Sequence, residues 1–263
     1  MSEFYFSYDG NKRHEIQKIL SMCNFENVKT IVECFGGTCY FSFYLYNNYK
    51  NNNFHFVITD INEDLTYFCN NFYKNQNEII TNSIKIIEQI DNNKEKYNDY
   101  INKKLKYYDE GFIEYFLIFN TYYNIRKGLF PIRDRTPKYI KYENRKEKYN
   151  EFFKNNEYIC SNFIDILEKY KNDETALIYL DPPYVQADCQ SYFKQTIDWE
   201  YLVSFFETAK CKIVLHVNFN IWMDRIFKNI CKKSIHYNFK YQHKNRKKTT
   251  GDVIHSIYIN YDL

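Results

Sequence analysis

Apolar and polar positions follow two rhythms along this chain. Between Lys12 and Met22 the residues Ile16, Ile19 and Leu20 recur at helical spacing, and the Tyr8-Asp9-Gly10-Asn11 segment ahead of them reads as a loop that delivers Lys12 into a helix start. A short apolar run from Thr30 to Val32 leads into Phe35-Gly36-Gly37 and then a helix-like stretch from Tyr40 to Leu45. Phe54 to Ile58 is a second compact strand-like run, ending in Thr59-Asp60-Ile61-Asn62 and passing into a helix that begins near Glu63. Two strand-then-helix units in succession open a doubly wound α/β sheet.

The next run of comparable quality, Ala176-Leu177-Ile178-Tyr179-Leu180, comes after a gap too long for an ordinary crossover. Residues 72–118 are polar helix formers with apolar residues spaced by three and four, while 119–145 is aromatic and basic and holds two of the four prolines. The pattern predicts helices and loops inserted over 72–150, between two parts of one sheet-bearing domain at 1–71 and 151–263. Trp199 to Ala209 reads as helix, Lys212 to Val217 as strand and Val253 to Asn260 as a closing strand.

Composition narrows the class. A chain of 263 residues with 44% hydrophobic and 26% charged residues buries one core with room for a modest insertion, and is not disordered. The net charge of +3 fits a polyanionic partner without requiring one. Eight cysteines occur with no C-x-x-C pair, which excludes a zinc ribbon and a secreted disulfide framework; reduced, buried thiols and no metal are expected. No apolar run approaches 18 residues and the N-terminus lacks a signal-like apolar stretch, so the expectation is a soluble intracellular protein with no membrane partner.

The candidate chemistry centres on Asp181-Pro182-Pro183-Tyr184, directly after the Ala176 to Leu180 run. Proline holds the preceding residue extended, so Asp181 should continue the strand and project from the carboxyl end of the sheet, where open α/β folds bind ligands. The Asp181 carboxylate and the Pro182 carbonyl offer two acceptors to one NH2 group, and can turn its nitrogen lone pair towards a sulfonium methyl. Tyr184 offers a flat face on which an extruded base can stack. Such a transfer depends on alignment and charge placement more than on a strong base.

Other positions read two ways when taken alone. Phe35-Gly36-Gly37 is either a close backbone approach to a ligand or a plain turn. Asp60 is either an acceptor for ribose hydroxyls or a helix cap. Phe163, after Ser161-Asn162, is either a core aromatic at a helix start or part of a ligand wall.

Taken in order, Tyr8-x-x-x-Lys12, Glu33-x-Phe35-x-Gly37, Asp60-x-Asn62, Asn162-Phe163 and Asp181-Pro182-Pro183-Tyr184 resemble the DNA adenine methylase family of N6-adenine methyltransferases, over about residues 4–260. The resemblance implies a Rossmann-like methyltransferase sheet with a mainly helical target-recognition insertion. It also implies S-adenosyl-L-methionine as cofactor, with S-adenosyl-L-homocysteine as product. Tyr8, Lys12, Phe35, Gly37, Asp60, Ile61 and Phe163 would surround that cofactor, with Asp181 between it and the adenine. Three positions depart from the family pattern: Cys34 replaces a proline, Thr38 and Cys39 replace a later glycine, and Asn162 replaces an aspartate.

The implied partner is double-stranded DNA. Asn120, Asn124, Arg126, Lys127, Arg133 and Arg135 resemble the family's recognition region, where Arg reads guanine bidentately and Lys positions phosphate. A second basic run contains Lys244, Arg246, Lys247 and Lys248 and no acid, and reads as a phosphate-clamping loop before the last strand. RNA adenine and protein glutamine methyltransferases share a related tetrad and are the alternative enzymes; a catalytically silent DNA-binding paralogue is the alternative of another class.

Overall fold

The computed structural model describes residues 4–6, 11–91, 93–122, 143–183, 197–239 and 253–263. The helices are α1 (Ile16–Leu20), α2 (Tyr40–Asn48), α3 (Glu63–Phe72), α4 (Gln76–Ile90), α5 (Lys94–Ile101), α6 (Phe112–Tyr122), α7 (Glu143–Asn155), α8 (Phe163–Tyr170), α9 (Trp199–Thr208) and α10 (Ile221–Ile230). The strands are β1 (Thr30–Cys34), β2 (His55–Asp60), β3 (Tyr158–Cys160), β4 (Ala176–Leu180), β5 (Lys212–Asn218), β6 (Lys233–Phe239) and β7 (Val253–Ile259). A short 3₁₀ turn, Lys12–His14, precedes α1.

The seven strands run in the order β3-β2-β1-β4-β5-β7-β6. β1 pairs in parallel with both β2 and β4, β4 pairs in parallel with β5, and β7 is antiparallel to β5 and β6. The α/β class and the Rossmann-like sheet expected from the sequence are the fold observed. Central strands explain themselves: every residue of β4 is buried, and each large apolar side chain removed from water contributes about 1.5–3 kcal/mol. The closing strand expected over Val253 to Asn260 is β7, the last element of the chain, and it lies between β5 and β6 in the sheet. β6 had no apolar run to announce it, since its residues are only half-buried or exposed.

The chain divides into two compact units, residues 1–11 with 62–160 and residues 12–61 with 161–263. The first unit holds α3 to α7 and β3, and its core is aromatic. Tyr5 packs on Phe72 at 4.6 Å, Phe68 stacks on Phe72 at 4.9 Å and Phe6 meets Phe116 edge-on at 5.8 Å. A second cluster joins Ile90, Tyr97 and Ile118. Asn62 caps α3 through the Leu65 amide and Asn93 caps α5 through those of Glu95 and Lys96, each contributing about 1 kcal/mol.

The second unit holds the other six strands. Three of its helices, α8, α9 and α10, start on side-chain caps from Asn162, Asp198 and Asn220. Among the described cysteines Cys34, Cys39, Cys69 and Cys211 are buried, Cys23 and Cys231 half-buried, and Cys160 is exposed, so burial of the thiols is not uniform as expected. Among the described residues no helix is long and apolar enough to cross a membrane.

Candidate active site

Strand register creates the site. Cys34, the last residue of β1, pairs with Leu180, the last of β4, so Phe35 and Asp181 leave neighbouring strands side by side. The chain runs from β1 outwards to β2 and later returns to β4 on the other flank of β1. Such a reversal opens a crevice at the carboxyl ends, where open sheets bind ligands.

The loop after β1 is built on left-handed backbone at alternate residues, with φ 58° at Phe35, 51° at Gly37 and 46° at Cys39. Glycine adopts this freely, whereas Phe35 and Cys39 each cost about 1–2 kcal/mol. Of the two residues standing where the resemblance expects glycine, Cys39 is the one in the conformation glycine favours. The loop is tied down from β2: the Gly36 amide donates to the Thr59 carbonyl at 2.8 Å and the Gly37 amide to Asp60 Oδ2 at 2.9 Å.

Glu33 supplies the start of α2, which has no side-chain cap of its own. Its buried carboxylate accepts the Ser42 amide at 2.8 Å. Burial pushes the Glu33 carboxyl up to about 7, against the downward pull of hydrogen bonds from Ser42 and Phe41.

Phe163, at the head of α8, lies with its ring centroid 4.9 Å from that of Phe35. The Ser161 amide donates to the Asp60 carbonyl at 3.1 Å and draws the α8 start to the end of β2. The structure therefore brings Phe35, Gly37, Asp60 and Phe163 together, with Ile61 half-buried beside them. Phe163 is both a buried aromatic and a neighbour of the loop.

Asp181 is half-buried, Pro182 buried and Pro183 half-buried. Lys12 Nζ stands 2.7 Å from Asp181 Oδ2, and His216 Nδ1 lies 3.8 Å from Oδ1. Lys12 thus joins the candidate catalytic carboxylate directly. A carboxylate has about four lone-pair directions, so Lys12 leaves Asp181 able to accept further donors.

A group that the sequence reading did not anticipate stands behind Asp181. Residues paired across strands share a face and alternate positions follow them. The pairings Tyr179 with Val214, Asn218 with His255 and Tyr237 with His255 put Tyr179, Asp181, His216, His255 and Tyr237 on one face of the sheet. Glu15, just before α1, is buried against that face. The Tyr237 hydroxyl donates to Glu15 Oε2 at 2.7 Å, and His255 Nδ1 donates to the same oxygen. Tyr237 Oη is also 2.8 Å from His216 Nε2, and Tyr179 Oη is 3.2 Å from His216 Nδ1. Burial alone would raise the Glu15 carboxyl, but hydrogen bonds from His216 and His255 outweigh it and hold the group well below the usual carboxylate range. Burial holds His216 below the ordinary imidazole value.

Of the expected DNA contacts, Asn120 lies on α6, half-buried, with its side-chain amide donating to the Phe116 carbonyl at 2.8 Å. Asn124, Arg126, Lys127, Arg133, Arg135, Lys244, Arg246, Lys247 and Lys248 lie outside the described residues, as do Tyr8 and Tyr184. The flanks of the second basic run are described: Phe239 pairs with Val253, and Asn218 with His255. β6 therefore ends and β7 begins at the same carboxyl edge that carries Asp181.

A doubly wound sheet in this order, with an acid, a glycine turn and paired aromatics at its reversal, defines a Rossmann-like methyltransferase. The chain belongs to the D12 class N6 adenine-specific DNA methyltransferase family, whose model matches residues 8–250. Membership makes methylation of adenine in DNA the reaction class. A search of curated proteins gives no match.

Proposed function

We propose that the protein transfers a methyl group from S-adenosyl-L-methionine to the exocyclic nitrogen of an adenine turned out of duplex DNA. The observation that carries this reading is the Cys34 to Leu180 register, which sets a ligand loop and an acceptor carboxylate next to each other at the sheet's reversal.

The residues at that point suit the cofactor. Asp60 offers a carboxylate for ribose hydroxyls, Gly37 a backbone without a side chain to bar approach, and Phe35 with Phe163 an apolar wall. Tyr8, Lys12 and Ile61 complete this set by resemblance. When bound, S-adenosyl-L-methionine supplies an electrophilic methyl group. Asp181 and the Pro182 carbonyl hold the two amine hydrogens, sharing Asp181 with Lys12; Pro183 stiffens the turn and Tyr184 stacks on the base. Duplex DNA is held through Asn120, Asn124, Arg126, Lys127, Arg133 and Arg135, and its phosphates through Lys244, Arg246, Lys247 and Lys248.

The test is to map modified bases in DNA from cells that express the chain. The expected result is N6-methyladenine in a fixed sequence context. Methylation at carbon 5 of cytosine, or methyl groups in RNA or protein alone, would overturn the reading.

A further inference from the structure

Three buried polar side chains, Glu15, His216 and His255, and the half-buried Tyr237 have no role in the chemistry outlined above, yet they adjoin its central carboxylate. Their hydrogen bonds can be given a direction. An ionised Glu15 only accepts, and Tyr237 has a single hydroxyl proton, which it gives to Glu15. The proton between Tyr237 and His216 therefore sits on His216 Nε2. His216 Nδ1 is left as an acceptor, taking the Tyr179 hydroxyl proton and facing Asp181 Oδ1 at 3.8 Å. Glu15, His216 and His255 could also be read as metal ligands, since their donor atoms lie within 4.8 Å of one another. Tetrahedral zinc with bonds near 2.0–2.1 Å needs ligand atoms about 3.3 Å apart. Here Glu15 Oε2 and His216 Nε2 are 3.4 Å apart, but Glu15 and His255 are in direct hydrogen-bond contact, closer than two ligands of one zinc stand, and Tyr237 bridges Glu15 and His216 at 2.7 and 2.8 Å, spacings of shared protons.

We propose that His216 takes up, by way of Asp181, the proton that the adenine amine loses on methylation, and that Glu15, Tyr237 and His255 hold His216 in the tautomer able to do so. This rests on the methyltransferase reading. As the nitrogen lone pair forms the new bond to carbon, the nitrogen becomes cationic. One N–H bond then breaks, its electron pair staying on nitrogen, and the proton passes to the Asp181 carboxylate. The Tyr179 hydroxyl turns its proton away from His216 Nδ1 and so frees the single lone pair there; Asp181 then hands the proton to Nδ1 and returns to its ionised form, a shift of about 1 Å bringing Oδ1 within hydrogen-bond reach. The imidazolium so formed is countercharged by Glu15 and opposed by Lys12, while Tyr179, Tyr237 and His255 hold its surroundings; Glu33, whose carboxyl burial raises, lies further off near Asp181. His216 acts through Asp181 and is a positioning residue, not one that touches substrate.

The test compares the full chain with His216→Gln, Glu15→Gln and Tyr237→Phe. Imidazole ¹⁵N NMR of the free protein should show His216 as the Nε2–H tautomer at pH 7, and Glu15→Gln should move its titration to lower pH because a countercharge is lost. Single-turnover methyl transfer should slow about 100-fold in His216→Gln, the usual scale for losing a proton acceptor, and its acid-side decline should vanish. Glu15→Gln should shift that decline to lower pH. Thermal melting separates these effects from unfolding. A His216 that ignores Glu15→Gln, zinc retained at one per chain and lost in Glu15→Gln, or a folded His216→Gln with the wild-type rate and pH profile would each overturn the proposal. Were the wild-type chain to methylate no DNA, the proton role would fall with the function, while the NMR arm would still decide the tautomer.

Discussion

The Lys12 ammonium sits 2.7 Å from the Asp181 carboxylate, with both side chains largely removed from water. Each partner left alone would keep a poorly solvated charge. Lys12→Met and Asp181→Asn should each lower stability by about 1–3 kcal/mol. The double variant should lose less than their sum, with a coupling of about 1 kcal/mol or more in urea unfolding. Strict additivity would show that the pair contributes nothing as a pair.

Asp60 has one task inside the protein and a second, proposed one towards the cofactor. Its carboxylate accepts the Gly37 amide at 2.9 Å and so fixes the loop that a nucleoside would lie against. Asp60→Ala should weaken S-adenosyl-L-methionine binding about 10-fold or more in calorimetry, on the scale of about 1–3 kcal/mol for orphaning such groups, while leaving duplex binding unchanged. Equal loss of both affinities would point to general unfolding.

Glu33 gives the stability curve a pH dependence with a definite sign. Its carboxyl is raised from 4.5 to about 7 in the folded chain, so folding favours the protonated form. That stabilisation is complete below the unfolded value and is lost as pH rises through about 7. Glu33→Gln, which keeps an acceptor for the Ser42 amide, should therefore gain on the wild type between pH 5 and pH 8, by on the order of 1–3 kcal/mol. Parallel melting curves across that range would contradict it.

The basic run joining β6 to β7 should act through phosphate. Replacing Lys244, Arg246, Lys247 and Lys248 with glutamine should weaken binding to duplexes of any sequence alike. The slope of log affinity against log salt should fall by about 0.9 for each contact removed. Loss confined to one sequence would assign the run to base reading instead.

Much of the sheet was legible because buried parallel strands are unbroken apolar runs, as in Ile31-Val32 and Ala176 to Leu180. β3 was missed because three residues carry no period, and β6 because Lys233 to Phe239 is polar along most of its length. Asp181, Asp60, Phe35 and Phe163 were readable from local motifs at strand ends. Lys12 was grouped with the cofactor, since only the fold shows it reaching Asp181. The Glu15 group could not be read at all: its members come from three strands and a helix start, and they meet only once register fixes which alternate positions share a face. Its one trace in the sequence is a histidine, His216, inside the apolar run Ile213 to Val217.

Single-turnover transfer of labelled methyl from S-adenosyl-L-methionine to duplex DNA, measured for the wild type and Asp181→Ala at saturating cofactor, tests the central claim most directly. The account predicts N6-methyladenine from the wild type and at least a 100-fold slower reaction from the variant, with cofactor binding retained. An Asp181→Ala chain that methylates adenine at an undiminished rate would contradict it.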